Sequence, residues 1–257
     1  MKMLFLSDVH LGALSESENR ILEEEIIQII QYCTSNEYRI HILGDLFDYW
    51  MEFPDYIPPL GKRLLSHFTK FHQINSSGLY VTGNHDYWTH DQFSKCGFDV
   101  EHEYRLLKIE NLSLFLTHGD GISDPKYNLP RPLLHRILRN HKFVRLFQTL
   151  FTGSTGNHIM KSFSELTRDN RNLNTERLTK WAQNTIDKYS FDYIITGHDH
   201  VPRKETFSTG SYINTGAFYL HKSAALYNNG KVDLVRWDNK QMIFKPYSNK
   251  TDKSVLQ

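Results

Sequence analysis

Asp8 and His10 in Ser7-Asp8-Val9-His10, Asp45 after Gly44, Asn84, His85 and Asp86 after Gly83, His118 before Gly119, and His198 and His200 in Gly197-His198-Asp199-His200 have the types and spacing for chemistry. Asp8, His10, Asp45, Asn84, His118, His198 and His200 offer carboxylate, amide and imidazole donors and no sulfur, a set suited to Mn²⁺, Fe²⁺, Mg²⁺, Co²⁺ or Zn²⁺. Two such ions about 3.5 to 4 Å apart share a bridging ligand, and Asp45 is the natural bridge. A cation pair neutralises the non-bridging oxygens of a phosphate, acidifies a water and aligns it for in-line attack on phosphorus. His85 is placed to stabilise the developing charge or to protonate a leaving group, and Asp86 to orient His85 or a ligand. Taken singly, each of these residues reads as a cap or turn former. Their joint occurrence carries the argument.

Apolar periodicity gives the strands and helices that carry these residues. Runs at Met3 to Leu6, Ile40 to Leu43 and Leu79 to Val81 have strand length, and the helical spacings Ile21 to Tyr32 and Leu64 to Phe71 lie between them, a βαβαβ rhythm. Each strand runs into one of the polar clusters, at the carboxyl end where open α/β sheets bind ligands. A hairpin at 106–109 and 112–116 ends in His118, and a strand from Tyr193 to Thr196 ends in His198 and His200. The runs at 212–214, 224–227 and 232–235 read as hairpins closing a second sheet. Between the hairpin and the Tyr193 strand lies a helical insertion of about 70 residues, long enough for a lid.

The order D-x-H, G-D, G-N-H-D, a lone G-flanked H and G-H-x-H resembles the signature of the calcineurin-like metallophosphoesterases from Met3 to about Ala217, most of the insertion excepted. The resemblance implies a two-sheet αββα sandwich with an inserted helical lid: a core of 1–121 and 191–246, a lid of 122–190 and a polar tail of 247–257. It implies two divalent metal ions, Mn²⁺ first among the candidates. Asp8, His10, Asp45 and His200 would hold one, and Asp45, Asn84, His118 and His198 the other, with His85 on the substrate phosphate.

The 257 residues carry 30 Lys+Arg against 29 Asp+Glu, a net charge of +1, so bulk attraction to nucleic acid is not expected. Cys33 and Cys96 form no C-x-x-C, which excludes a disulfide scaffold or a zinc-thiolate cluster and fits a reducing compartment. The N-terminal apolar run stops at Asp8, too early for a secretory signal, so a cytoplasmic protein is expected. Of the 14 histidines, His41, His67, His72, His90, His102, His135, His141, His158 and His221 are expected to be structural or exposed.

Within the insertion, apolar residues at 133, 134, 137, 138, 144, 147 and 151 form one helical stripe, and Arg136, Arg139, Lys142 and Arg145 occupy its polar side without an acid. Such a segment faces acyl chains and anionic headgroups, or packs inward under a solvated basic face. Stripe and insertion, with Gly44-Asp45-Leu46-Phe47-Asp48, His118-Gly119-Asp120-Gly121 and Gly197-His198-Asp199-His200-Val201-Pro202, resemble the UDP-2,3-diacylglucosamine diphosphatases of lipid A biosynthesis. That branch cleaves a UDP-linked diacyl sugar into UMP and a lipid sugar phosphate. The implied partners are that substrate and the cytoplasmic face of the inner membrane, where the protein would be peripheral; a phosphodiesterase or nucleotide pyrophosphatase on soluble substrates is the alternative. The same resemblance assigns Asn84, His85, Asp124, Ser164, Arg168 and Asn170 to phosphate or sugar. His85 departs from the best-known enterobacterial members, which carry Arg there.

Overall fold

A computed structural model describes residues 1–168 and 175–248. The N-terminal half alternates as expected: β1 (Lys2–Leu6), α1 (Glu16–Ser35), β2 (Tyr38–Leu43), α2 (Lys62–Ile74), β3 (Leu79–Val81), α3 (Gln92–Lys95) and β4 (Asp99–Glu101). The hairpin β5 (Tyr104–Ile109) and β6 (Leu112–Thr117) follows, then α4 (Leu133–Leu138), α5 (His141–Leu150), α6 (Gly153–Arg168) and α7 (Thr175–Tyr189). The chain continues through β7 (Tyr193–Thr196), β8 (Arg203–Thr206), β9 (Ser211–Asn214), α8 (Phe218–His221), β10 (Ser223–Asn228), β11 (Lys231–Asp238) and β12 (Ile243–Pro246).

Strand alternation builds four layers. Met3 and Phe5 of β1 point into the core between the two sheets, where Leu114 and Leu116 of β6 meet them. Leu4 and Leu6, on the opposite face, pack under α1 and α2, and Phe115 of β6 packs with Trp181 and Ile186 of α7. Helix α1 starts on a capping box between Ser15 and Glu18, which satisfies its first backbone N–H groups. Both sheets are therefore covered on their outer faces, the αββα arrangement.

The first sheet has the order β12-β11-β10-β1-β2-β3-β4 and the second β5-β6-β7-β9-β8. This corrects one expectation: β10 and β11 do not close the second sheet but extend the first, with β10 antiparallel to β1 and Met3 opposite Tyr227. Periodicity gives the face a residue buries, not the strand it pairs with. Because β1, β2 and β3 are mutually parallel, as are β6, β7 and β9, the carboxyl ends that carry the polar clusters gather at one rim.

The expected single stripe over 133–151 is two helices. Asn140 interrupts it by capping α5, its side chain accepting from the N–H groups of Lys142 and Phe143. Phe143, Val144 and Phe147 pack against Met51, Phe53 and Trp88, whereas Leu133, Leu134 and Ile137 are 70%, 46% and 44% exposed. Among the described residues no helix is long and apolar enough to cross a membrane.

Candidate functional site

The loops leaving the strands carry unusual backbone. Asp8, His10, Asp45, His198 and His200 have φ of +49°, +48°, +54°, +75° and +63°, a region few non-glycine residues adopt. Strain of this kind persists only where surrounding structure enforces it and clusters at functional sites. Two glycines of the motifs are required by close approach: a Cβ on Gly83 would collide with the Asp45 carboxylate, and one on Gly197 with that of Asp8.

The donor atoms converge. Asp8 Oδ1 lies 3.3 Å from His200 Nε2 and 3.7 Å from His10 Nε2, and the two imidazole nitrogens are 3.1 Å apart. Asp45 Oδ2 lies 3.7 Å from His10 Nε2 and 3.3 Å from His118 Nε2, and Asn84 Oδ1 stands 3.1 Å from that same nitrogen. Donors of Asp8, His10 and His200, and of Asp8, Asp45 and His118, each gather within 4.8 Å, with Asp45 also grouped with His10 and His85. His198 packs its ring 5.1 Å from that of His118, but its donor falls in none of these groups among the described residues.

The outward atoms of these side chains are already engaged. Asp8 Oδ2 accepts from the His198 N–H at 3.0 Å and from Ser7 Oγ, while Oδ1 is buried with no hydrogen-bond donor. His118 Nδ1 donates to the Leu43 carbonyl at 2.9 Å and His10 Nδ1 to Asp48 Oδ1 at 3.1 Å, which turns both Nε2 lone pairs inward. Anchored imidazoles with inward lone pairs and an orphaned carboxylate oxygen are the donor set a divalent cation fits.

Electrostatics agree with that fit. Burial disfavours the Asp45 carboxylate, but the charges of His118 and His85 and a hydrogen bond from His118 hold its pKa well below the usual range. Burial also opposes ionisation of Asp8, where the neighbouring imidazoles of His10 and His200 win and hold its pKa well below the usual range. Burial disfavours imidazolium at His10, yet Asp48, Asp8 and Asp45 push its pKa up to about 9. At His118 the same contest, decided by Asp45, ends at about 10. Burial and the His118 charge bring His198 down to about 3.

Other expected residues fall differently. Asp86 does not face the cluster: it accepts from Leu46 N–H at 2.9 Å, Gly83 N–H at 2.7 Å and Tyr80 O–H at 2.6 Å. Its carboxylate braces the Asp45 and Asn84 loops rather than orienting His85, and burial with the nearby Asp45 charge raises it to about 6. His85 donates from Nδ1 to the Asp48 carbonyl at 2.5 Å and from its N–H to Asp45 Oδ1 at 2.9 Å. Ser164 reaches the site, its hydroxyl 2.9 Å from Asp48 Oδ2 and 3.4 Å from His85 Nδ1. Asp124 is turned elsewhere, capping the turn at Pro125–Tyr127 through the Lys126 N–H and accepting from Tyr104 O–H at 3.0 Å. Arg168 ends α6, and Asn170 lies outside the described residues.

Asp48, which the sequence leaves evenly divided between core packing and support of the site, holds His10. Two further residues at the site are ones the sequence places elsewhere. His135 of α4 places Nδ1 3.7 Å from Asp120 Oδ2 and its ring 6.3 Å from that of His198. Arg139, expected on the solvated basic face, is buried and pairs with Asp120 at 2.8 Å. A cavity of about 80 Å³ runs from Asn84 and His85 to the underside of α4 and α6, walled by Tyr87, Trp88, Leu134, Leu138 and Met160.

The calcineurin-like phosphoesterase family matches residues 1–202. The chain is 26% identical over 214 residues to a UDP-2,3-diacylglucosamine hydrolase of Blochmanniella pennsylvanica, covering 79% of this chain and 80% of that protein. It is 23% identical over 252 residues to the protein of that name from Proteus mirabilis, covering 92% and 99%. Among solved structures, Yfce, a phosphoesterase from E. coli, aligns with a TM-score of 0.48 at 17% identity, covering 95% of this chain and 96% of that one.

Proposed function

The chain belongs to the calcineurin-like phosphoesterase family and is a phosphoric ester or pyrophosphate hydrolase, and from that premise we propose that its substrate is UDP-2,3-diacylglucosamine, cleaved at the pyrophosphate to UMP and a diacylglucosamine 1-phosphate. Asp8, His10, Asp45 and His200 would hold one divalent cation and Asp45, Asn84, His118 and His198 a second, with Mn²⁺ suited to a set of oxygen and nitrogen donors. Two divalent ions bound there would supply charge neutralisation of phosphate oxygens and acidification of a water. The chain's own residues do the rest. Asp48 and the Leu43 carbonyl fix the His10 and His118 rings. Asp86 locks the two loops together, and His85 stands beside Asp45 where a phosphate oxygen would lie. The sugar phosphate produced has a second pKa near 6 and leaves without a proton, so a hydrogen-bond contact from His85 suffices.

The observation that carries the substrate reading is a cavity that Asn84 and His85 share with Trp88, Leu134, Leu138 and Met160, so that polar site residues and apolar side chains of the inserted helices line one space. Its volume of about 80 Å³ admits the first carbons of a chain. The remainder would lie along Leu133, Leu134 and Ile137, which stand exposed beside Arg136. Exposed leucines with neighbouring cations also favour a peripheral stay at an anionic membrane face. The test is release of UMP from the diacylated substrate with Mn²⁺ present and with a chelator. Metal-dependent release supports the reading. Equal turnover of a substrate without acyl chains would instead favour a soluble phosphodiester or nucleotide pyrophosphate.

A further inference from the structure

Arg139 occupies the turn between α4 and α5, where a basic side chain ordinarily reaches water, yet only 9% of the residue is exposed. Its guanidinium lies 4.3 Å over the Tyr87 ring. Nη1 donates to the His102 carbonyl at 3.0 Å, and Nη2 donates to the Gly83 carbonyl at 2.9 Å and meets Asp120 Oδ2 at 2.8 Å. The Gly83 carbonyl immediately precedes Asn84, and Asp120 is two residues past His118. One side chain of the inserted helices thus grips both loops that present Asn84 Oδ1 and His118 Nε2, 3.1 Å apart.

We propose that Arg139 is a positioning residue of the phosphoesterase reaction: by holding the Gly83 carbonyl and Asp120 together it sets the spacing of Asn84 and His118 and makes that spacing depend on the seating of α4. The inference rests on the reading of Asn84 and His118 as metal ligands. A guanidinium is suited to the task because its planar fork addresses several acceptors in fixed directions and stacks on an aromatic face; an ammonium on a flexible stem does neither. Charge balance alone does not require Arg139. Arg131 also approaches Asp120, Nε to Oδ2 at 3.5 Å, while its Nη1 pairs with Glu103 at 2.7 Å, so Asp120 keeps a cation when Arg139 is replaced.

The test compares Arg139→Lys and Arg139→Ala with the unmodified chain in Mn²⁺ titration, in hydrolysis of bis(p-nitrophenyl) phosphate, and in thermal unfolding. Outer groups that orient metal ligands are worth about 10 to 100-fold in affinity or activity. Both variants are expected to unfold cooperatively, to lose kcat and Mn²⁺ affinity in about that range with KM little changed, and Arg139→Ala to regain part of kcat with ethylguanidinium. Folded variants with unaltered kcat and Mn²⁺ affinity overturn the proposal. A loss fully accounted for by the unfolded fraction overturns it too, leaving Arg139 a brace for the fold. Should the unmodified chain hydrolyse nothing, the functional reading fails, and the Mn²⁺ affinities still decide the case of Arg139.

Discussion

Asp48 Oδ1 stands 3.1 Å from Nδ1 of His10, and the opposite nitrogen of that ring lies 3.7 Å from Asp8 Oδ1. The carboxylate selects the tautomer whose lone pair faces the candidate metal centre and makes the imidazole a better donor. Asp48→Ala is expected to weaken Mn²⁺ binding by about 10 to 100-fold, read by calorimetric titration, whereas Asp48→Asn, which still accepts through its amide oxygen, should fall between. Unchanged affinity in both variants would remove Asp48 from the site.

Proton release should accompany metal uptake. His10 and His118 titrate near 9 and 10 when they face only Asp8, Asp45 and Asp48, so both are imidazolium at neutral pH and must lose that proton to ligate. Apparent Mn²⁺ affinity is expected to rise with pH through this range, and titrations in buffers of different ionisation enthalpy should register protons released. The same shifts bear on stability. A folded pKa above the unfolded value of 6.5 contributes stability that is complete below 6.5 and disappears as pH climbs through 9 to 10. Chelator-treated protein should therefore lose stability between pH 7 and 10 more steeply than Mn²⁺-loaded protein, as thermal melts would record.

Much of this site was legible because the short apolar runs of its strands lead within a residue or two into Gly, Asp, Asn and His, and parallel strands bring such clusters to one rim. Less legible was anything decided by pairing across long separations. The sequence around Tyr227 does not say that β10 joins β1, since its alternation satisfies either sheet. Arg139 looked like part of a solvated face because its burial depends on Asp120, Gly83 and Tyr87, none within reach along the helix. For Asp86, expected to orient His85 or a ligand, only the fold shows that two backbone N–H groups and a tyrosine hydroxyl occupy its carboxylate.

His85 separates two leaving-group chemistries. Arg in its place supplies permanent charge without a transferable proton. His85→Arg is expected to keep pyrophosphate hydrolysis within about tenfold while losing about 100-fold or more on an alkyl diester, whose alkoxide needs a proton. His85→Ala should impair both. Parallel kcat/KM measurements on the two substrates check this, and equal losses for Arg on both would contradict a charge-only role toward pyrophosphate.

Leu133, Leu134 and Ile137 offer a test of the inserted helices that spares the core. Their exposure predicts that serine at each costs less than about 0.5 kcal/mol. The triple variant should retain its melting temperature and its hydrolysis of a small diester while KM for the diacylated substrate rises. A rise in KM for both substrates would mean that these side chains shape the site rather than meet lipid.

The count of Mn²⁺ ions held per chain at saturation, read by native mass spectrometry on the protein and on Asp45→Ala, decides whether the site is dinuclear. Two ions in the unmodified chain, with paired occupancy lost when the shared carboxylate is removed, is the predicted result. An active protein that holds one ion or none, or an Asp45→Ala variant that still holds two, would contradict it.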